Sequence, residues 1–207
     1  MFITFEGIDG SGKTTQIVKL SERLINQNID VLSLREPGGN AISEKIRETL
    51  LDAGNDIAPR AELLLFVAAR AQLVEKVIRP ALGAGKLVIC DRFIDSSVAY
   101  QGFGRGIPMN EVQECNKIET GNLVPDITFF LDLPPVIAAG RAAGRSDEKT
   151  DRIESSGESF FERARQGYLA IAENEPGRFI RLDAREHPDR IHDKIWTYVS
   201  DLITDRN

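Results

Sequence analysis

Between a short apolar run and the first helical pattern of this 207-residue chain lies Gly7-Ile8-Asp9-Gly10-Ser11-Gly12-Lys13-Thr14. Two glycines with four residues between them, Gly7 and Gly12, followed by Lys and Thr, suit the cradling of phosphate. Glycines let backbone N–H groups converge on anionic oxygens, and a helix that starts there turns its positive end toward them. The stretch Gly7, Ile8, Asp9, Gly10, Ser11, Gly12, Lys13, Thr14 and Thr15 is therefore the candidate site for nucleotide phosphates. Lys13 would add a point charge and Thr14 a hydroxyl ligand for Mg²⁺. A mere glycine-rich turn would account for the glycines, but not for strand, loop and helix in that order.

Phosphate loops serve switch GTPases, motor ATPases and kinases alike, so further residues must decide. A guanine-nucleotide switch calls for Asn-Lys-x-Asp; here Asn116-Lys117-Ile118-Glu119 carries Glu and falls in the helical run Val112, Cys115, Ile118, as surface. Charged residues cluster instead where strands should end, at Arg35-Glu36-Pro37-Gly38-Gly39 and Asp91-Arg92-Phe93. Open α/β sheets bind ligands at that rim. Asp91 can reach a metal held by Thr14, or else caps a helix. The planar fork of Arg92 suits a second phosphate, with a surface ion pair as its plainer role. Phe66 and Arg70 lie one helical turn apart on one face, a possible floor and edge for a nucleobase. For Phe66 core packing is the simpler account, whereas Arg70, in an apolar helix, needs a polar partner.

The elements that must hold these residues follow from periodicity. Strand-like runs at Phe2 to Phe5, Val31 to Leu34, Leu87 to Cys90, Ile127 to Leu133 and Phe179 to Leu182 alternate with helical patterns, the rhythm of an α/β domain with a parallel sheet of five strands. Ile17, Leu20 and Leu24 repeat at helical spacing, as do Ile42, Ile46 and Leu50, and Ile191, Ile195, Tyr198 and Leu202. Ala61 to Ile78 is apolar nearly all round in its first half, which predicts a buried helix. Arg141 to Glu154 is charged and reads as a mobile loop. Residues 1–207 are expected to form one domain. A net charge of -6 argues against a broad nucleic-acid face. Cys90 and Cys115 fit neither a disulfide framework nor a zinc spacing, and no run suits a signal peptide or membrane span. A cytoplasmic protein is expected.

Taken together, Phe5 to Gln16, Arg35 to Gly39, Phe66-Val67-Ala68-Ala69-Arg70, Asp91-Arg92-Phe93, Ser96 to Gln101 and Asp151-Arg152-Ile153-Glu154 resemble the thymidylate kinases, over most of the chain. That resemblance implies a P-loop NTPase-type three-layer α/β fold with a five-stranded parallel sheet flanked by helices, a homodimer, and transfer of a phosphoryl group from ATP to dTMP with Mg²⁺. It further implies that Phe66 stacks on thymine, that Arg70 and Gln101 meet its edge with Ser97 nearby, and that Glu36 and Pro37 border the same substrate. Arg92 would hold the 5′-phosphate, Asp9 the 3′-hydroxyl or metal-bound water, and Tyr100 the 2′ side of the sugar. Because Ile8 to Ser11 lacks arginine, the resemblance is to members with a mobile lid, here about 141–154, whose Arg145 and Arg152 would join Lys13, Asp91 and Arg92 in catalysis. Another P-loop nucleoside or nucleotide kinase, or a non-catalytic nucleotide switch, is the alternative.

Overall fold

The computed structural model describes residues 1–143 and 151–204, with no side-chain description for 142 and 143. Five strands form one parallel sheet in the order β2-β3-β1-β4-β5: β1 (Phe2–Glu6), β2 (Val31–Arg35), β3 (Leu87–Asp91), β4 (Ile127–Asp132) and β5 (Phe179–Asp183). Each expected strand is present. The central β1 pairs with β3 and β4.

Alternation of side chains separates two apolar layers. Ile3, Phe5, Ile89, Phe129 and Leu131 pack on Ile17, Leu20 and Leu24 of α1 (Lys13–Ile25) and on Ile191, Ile195 and Val199 of α9 (Pro188–Thr204). On the opposite face, Phe2, Val88 and Cys90 meet Leu73, Val74 and Ile78, while Phe130 and Phe179 meet Tyr168 and Ile171 of α8 (Glu158–Asn174). Because every strand runs the same way, all carboxyl ends share one rim.

Six further helices among the described residues complete the two layers. They are α2 (Ala41–Leu51), α3 (Pro59–Leu73), α4 (Arg79–Gly83), α5 (Ile94–Ser97), α6 (Met109–Thr120) and α7 (Pro135–Ala143). π-Helical turns at Val74–Ile78 and Val98–Gly104 continue α3 into α4 and extend α5. Asn40 caps α2 by accepting from the N–H groups of Ile42 and Ser43.

Three expectations are revised. The helix drawn over Ala61 to Ile78 is not buried all round: Leu64 is 58% exposed, because α3 turns only one face inward. Arg141 to Glu154 is not loop throughout: its first residues close α7 and Glu154 opens a short 3₁₀ turn, while 144–150 fall outside the described residues. Nor are Asn116 to Glu119 all helix surface: Ile118 is 80% exposed, but Glu119 on the other face of α6 is buried.

Candidate active site

β1 ends at Glu6, and the chain turns through the glycine loop into α1, whose first residue is Lys13. A side chain at Gly7 would have its Cβ 2.7 Å from the Leu131 carbonyl oxygen, at a φ of +139° that side-chain-bearing residues avoid. Lys13 folds back to donate from Nζ to the carbonyls of Gly7 (3.0 Å) and Ile8 (3.4 Å), closing the loop's edge. Burial and the Arg92 charge hold its amine below the ordinary lysine value. Thr14 and Thr15 stand exposed in the first turn of α1. Asp91 closes β3 with Oδ1 buried and without a hydrogen bond among the described residues, 4.0 Å from Lys13 Nζ. An orphaned carboxylate oxygen at the end of β3 and an open threonine in the first turn of α1 fit Mg²⁺, a cation that takes few protein ligands and keeps water and phosphate oxygens for the rest.

Arg92 is set by backbone strain. Its φ is +74°, while its N–H still bonds the Phe5 carbonyl at 2.9 Å, so the chain leaves the sheet in a left-handed turn. Such a conformation costs a non-glycine residue about 1 to 3 kcal/mol. The turn brings Nη2 to 2.8 Å from Asp9 Oδ1 and lays the guanidinium 5.0 Å from the Tyr100 ring centre. Behind it, Nη1 donates to Tyr168 Oη (3.3 Å) and Ser96 Oγ (3.4 Å). Both hydroxyls donate to Glu6 Oε2, and the Phe93 N–H donates to Oε1. Burial and nearby Asp95 push Glu6 up to about 7. The Tyr100 hydroxyl is buried without a hydrogen bond among the described residues, and burial raises its pKa.

Arg70 has its polar partners within the protein. It is 2% exposed; Nε donates to Glu36 Oε2 at 2.6 Å, and Nη1 donates to Ser97 Oγ at 3.0 Å and to Glu119. Burial pushes Glu36 up to about 7 against the pull of Arg70, and raises Glu119 as well. Glu36 and Pro37 are buried at the end of β2, where the Pro37 carbonyl accepts from Arg35 and Arg47. Phe66 is half-buried and joins none of the apolar clusters among the described residues.

Gln101 and Arg152 converge on Glu62, a wholly buried carboxylate of α3. Arg152 also donates from Nε to the Leu50 carbonyl at 2.8 Å. Arg145 lies outside the described residues. Arg141 reaches the phosphate loop, donating to the carbonyls of Gly10 (3.4 Å) and Ala184 (3.0 Å).

Of the residues expected from sequence, the structure brings Asp9, Lys13, Asp91, Arg92 and Tyr100 into one group and Glu36, Arg70 and Ser97 into a second, and it sets Gln101 with Arg152 on Glu62. It misses Glu6, Glu62, Arg105, Glu119 and Tyr168. Glu6 ends a strand and Glu62 and Glu119 lie in helices, where the only sequence signal is the need of buried arginines for carboxylates; Arg105, in the turn after Gly104, and Tyr168, in α8, carry no such signal.

The thymidylate kinase family model matches residues 5–195. The thymidylate kinase of Chlorobium chlorochromatii (strain CaD3) is 50% identical over 204 residues, 94% of this chain and 92% of the relative. That of Chlorobaculum tepidum is 48% identical over 99% of both chains. Among solved structures, thymidylate kinase from Ehrlichia chaffeensis superposes with a TM-score of 0.78 at 36% identity, over 96% of this chain and 98% of the other. On sequence, over nearly its whole length, and on fold, the chain belongs to the thymidylate kinase family.

Proposed function

We propose that this rim transfers the γ-phosphoryl group of ATP to the 5′-phosphate of dTMP, giving dTDP and ADP in dTTP biosynthesis. The observation that carries the reading is the shared contact on Asp9: Lys13 of the phosphate loop and Arg92, just past β3, approach the same Oδ1, at 3.8 and 2.8 Å. Two anion sites so close can bring donor and acceptor phosphates into line.

On this reading the N–H groups of Gly7 to Thr15 and the Lys13 ammonium grip the ATP phosphates. Arg92, braced by Glu6, Ser96 and Tyr168, holds the acceptor phosphate. Phe66 stacks on thymine; Arg70, Gln101 and Ser97 face its edge; Glu36 and Pro37 close the pocket. Tyr100 bars a 2′-hydroxyl and Asp9 meets the 3′-hydroxyl. Thr14 and Asp91 would hold Mg²⁺, which when bound neutralises phosphate charge. The added positive charge for the transferring group comes from Arg145 and Arg152, in a lid over about 141–154. We further infer a cytoplasmic homodimer, to which the exposed apolar side chains Leu64 and Ile118 are suited.

A panel of nucleoside monophosphates with ATP and Mg²⁺ tests the assignment. Turnover of dTMP should exceed that of dUMP, with little from ribonucleotides; comparable rates on CMP or AMP would reject it. Arg152→Ala should lower kcat more than it raises KM, and the opposite pattern confines Arg152 to its place on Glu62.

A further inference from the structure

Glu62 is given no contact with phosphate, yet it holds one glutamine and two arginines. Its side chain is wholly shielded from solvent. Oε1 accepts from Gln101 Nε2 at 2.9 Å and Arg105 Nε at 3.1 Å; Oε2 accepts from Arg105 Nη2 at 3.1 Å and pairs with Arg152 Nη1 at 2.7 Å. Burial pushes its carboxyl up, but hydrogen bonds from Arg105 and Gln101 outweigh it and hold the pKa below the ordinary carboxylate value. An ionised carboxylate only accepts. Gln101, 2% exposed in the π-helical turn, must therefore turn its amino group to Glu62, and covalent geometry sends its carbonyl oxygen the other way.

We propose that Glu62 is a positioning residue for acceptor selectivity: by fixing the amide of Gln101 it presents an acceptor, and not a donor, to the nucleobase. Thymine offers a donor at N3–H, whereas cytosine offers an acceptor at N3, so the fixed carbonyl favours one and repels the other. The proposal rests on the reading that Gln101 meets the base edge.

The test measures kcat/KM for dTMP and dCMP in the wild type, E62Q and Q101A. A glutamine at 62 can donate as well as accept, which frees the Gln101 amide to flip. E62Q is expected to lower the dTMP to dCMP preference about tenfold. A loosened Arg152 would slow both acceptors alike and leave this ratio untouched. A ratio unchanged in E62Q but lowered in Q101A overturns the role of Glu62. Unchanged dTMP kinetics in Q101A instead refute the base-edge reading, and the proposal with it. Should E62Q fail to fold, the wild type answers by NMR. The Gln101 side-chain N–H signals, assigned by their loss in Q101A, should exchange slowly with solvent with and without dTMP. Fast exchange overturns the proposal.

Discussion

Replacing Arg70 by methionine keeps most of the side-chain volume and deletes the guanidinium. That group lies between Glu36 and Glu119, whose side chains are 4% and 0% exposed. Removing one partner of a buried ion pair costs roughly 3 to 5 kcal/mol. Proton accounting gives a similar size. With Arg70 in place Glu36 is already at about 7, so at neutral pH the further burden falls on Glu119. Protonating a carboxyl of ordinary pKa at pH 7 costs about 3 kcal/mol, an upper bound for Glu119, whose carboxyl burial already raises. A loss of this size lowers Tm by roughly 6 to 20 °C in a chain of this length. Both carboxyls would be protonated in the native variant above the pH at which the unfolded chain ionises. The native state then binds more protons than the unfolded one, and stability falls as pH rises. Urea unfolding of wild type and R70M at pH 5, 6.5 and 8 should therefore show a penalty that is largest at pH 8, alongside a raised KM for dTMP. A penalty under about 1 kcal/mol at pH 8, or one equal at pH 5 and 8, would refute the account.

Lys13→Ala should cut kcat/KM by roughly 100-fold or more, the scale of losing one preorganised donor to a developing charge, with circular dichroism unchanged. Gly7→Ala should destabilise by about 2 kcal/mol or more in urea, since it adds positive-φ strain to a clash with the Leu131 carbonyl. Glu6 titrates near 7 in the folded protein against 4.5 ordinarily, so it favours folding at low pH and loses that advantage between about 4.5 and 7. Glu6→Gln should flatten part of the wild type's decline in stability from pH 5 to 8, as read by thermal melts in matched buffers.

The parts legible in sequence are those whose signal is local. Glycine spacing gives the phosphate loop, apolar runs give all five strands, and a lone arginine in an apolar helix marks Arg70. Its partners are not local: Glu36 and Glu119 stand 34 and 49 residues away, and Tyr168 is 162 residues from Glu6. A single glutamate in a helix ordinarily faces water. Glu119 also ends a near match to a guanine-recognition motif, and the apolar spacing of Val112, Cys115 and Ile118 does not distinguish the exposed face of α6 from the buried one. Leu64 shows the converse, since an apolar run cannot reveal which of its side chains the fold leaves uncovered.

The π-helical turn over Val98–Gly104 places Tyr100 and Gln101 against Arg92 and Glu62. A turn closed by i→i+5 bonds holds one residue more than a regular α-turn. Adding or removing a single residue there rotates everything downstream by about 100°. Chain length in this turn is thus a variable independent of residue identity: a one-residue deletion would swing the pocket wall to a new facing with every other side chain retained, a route to altered nucleotide choice that point substitution does not sample.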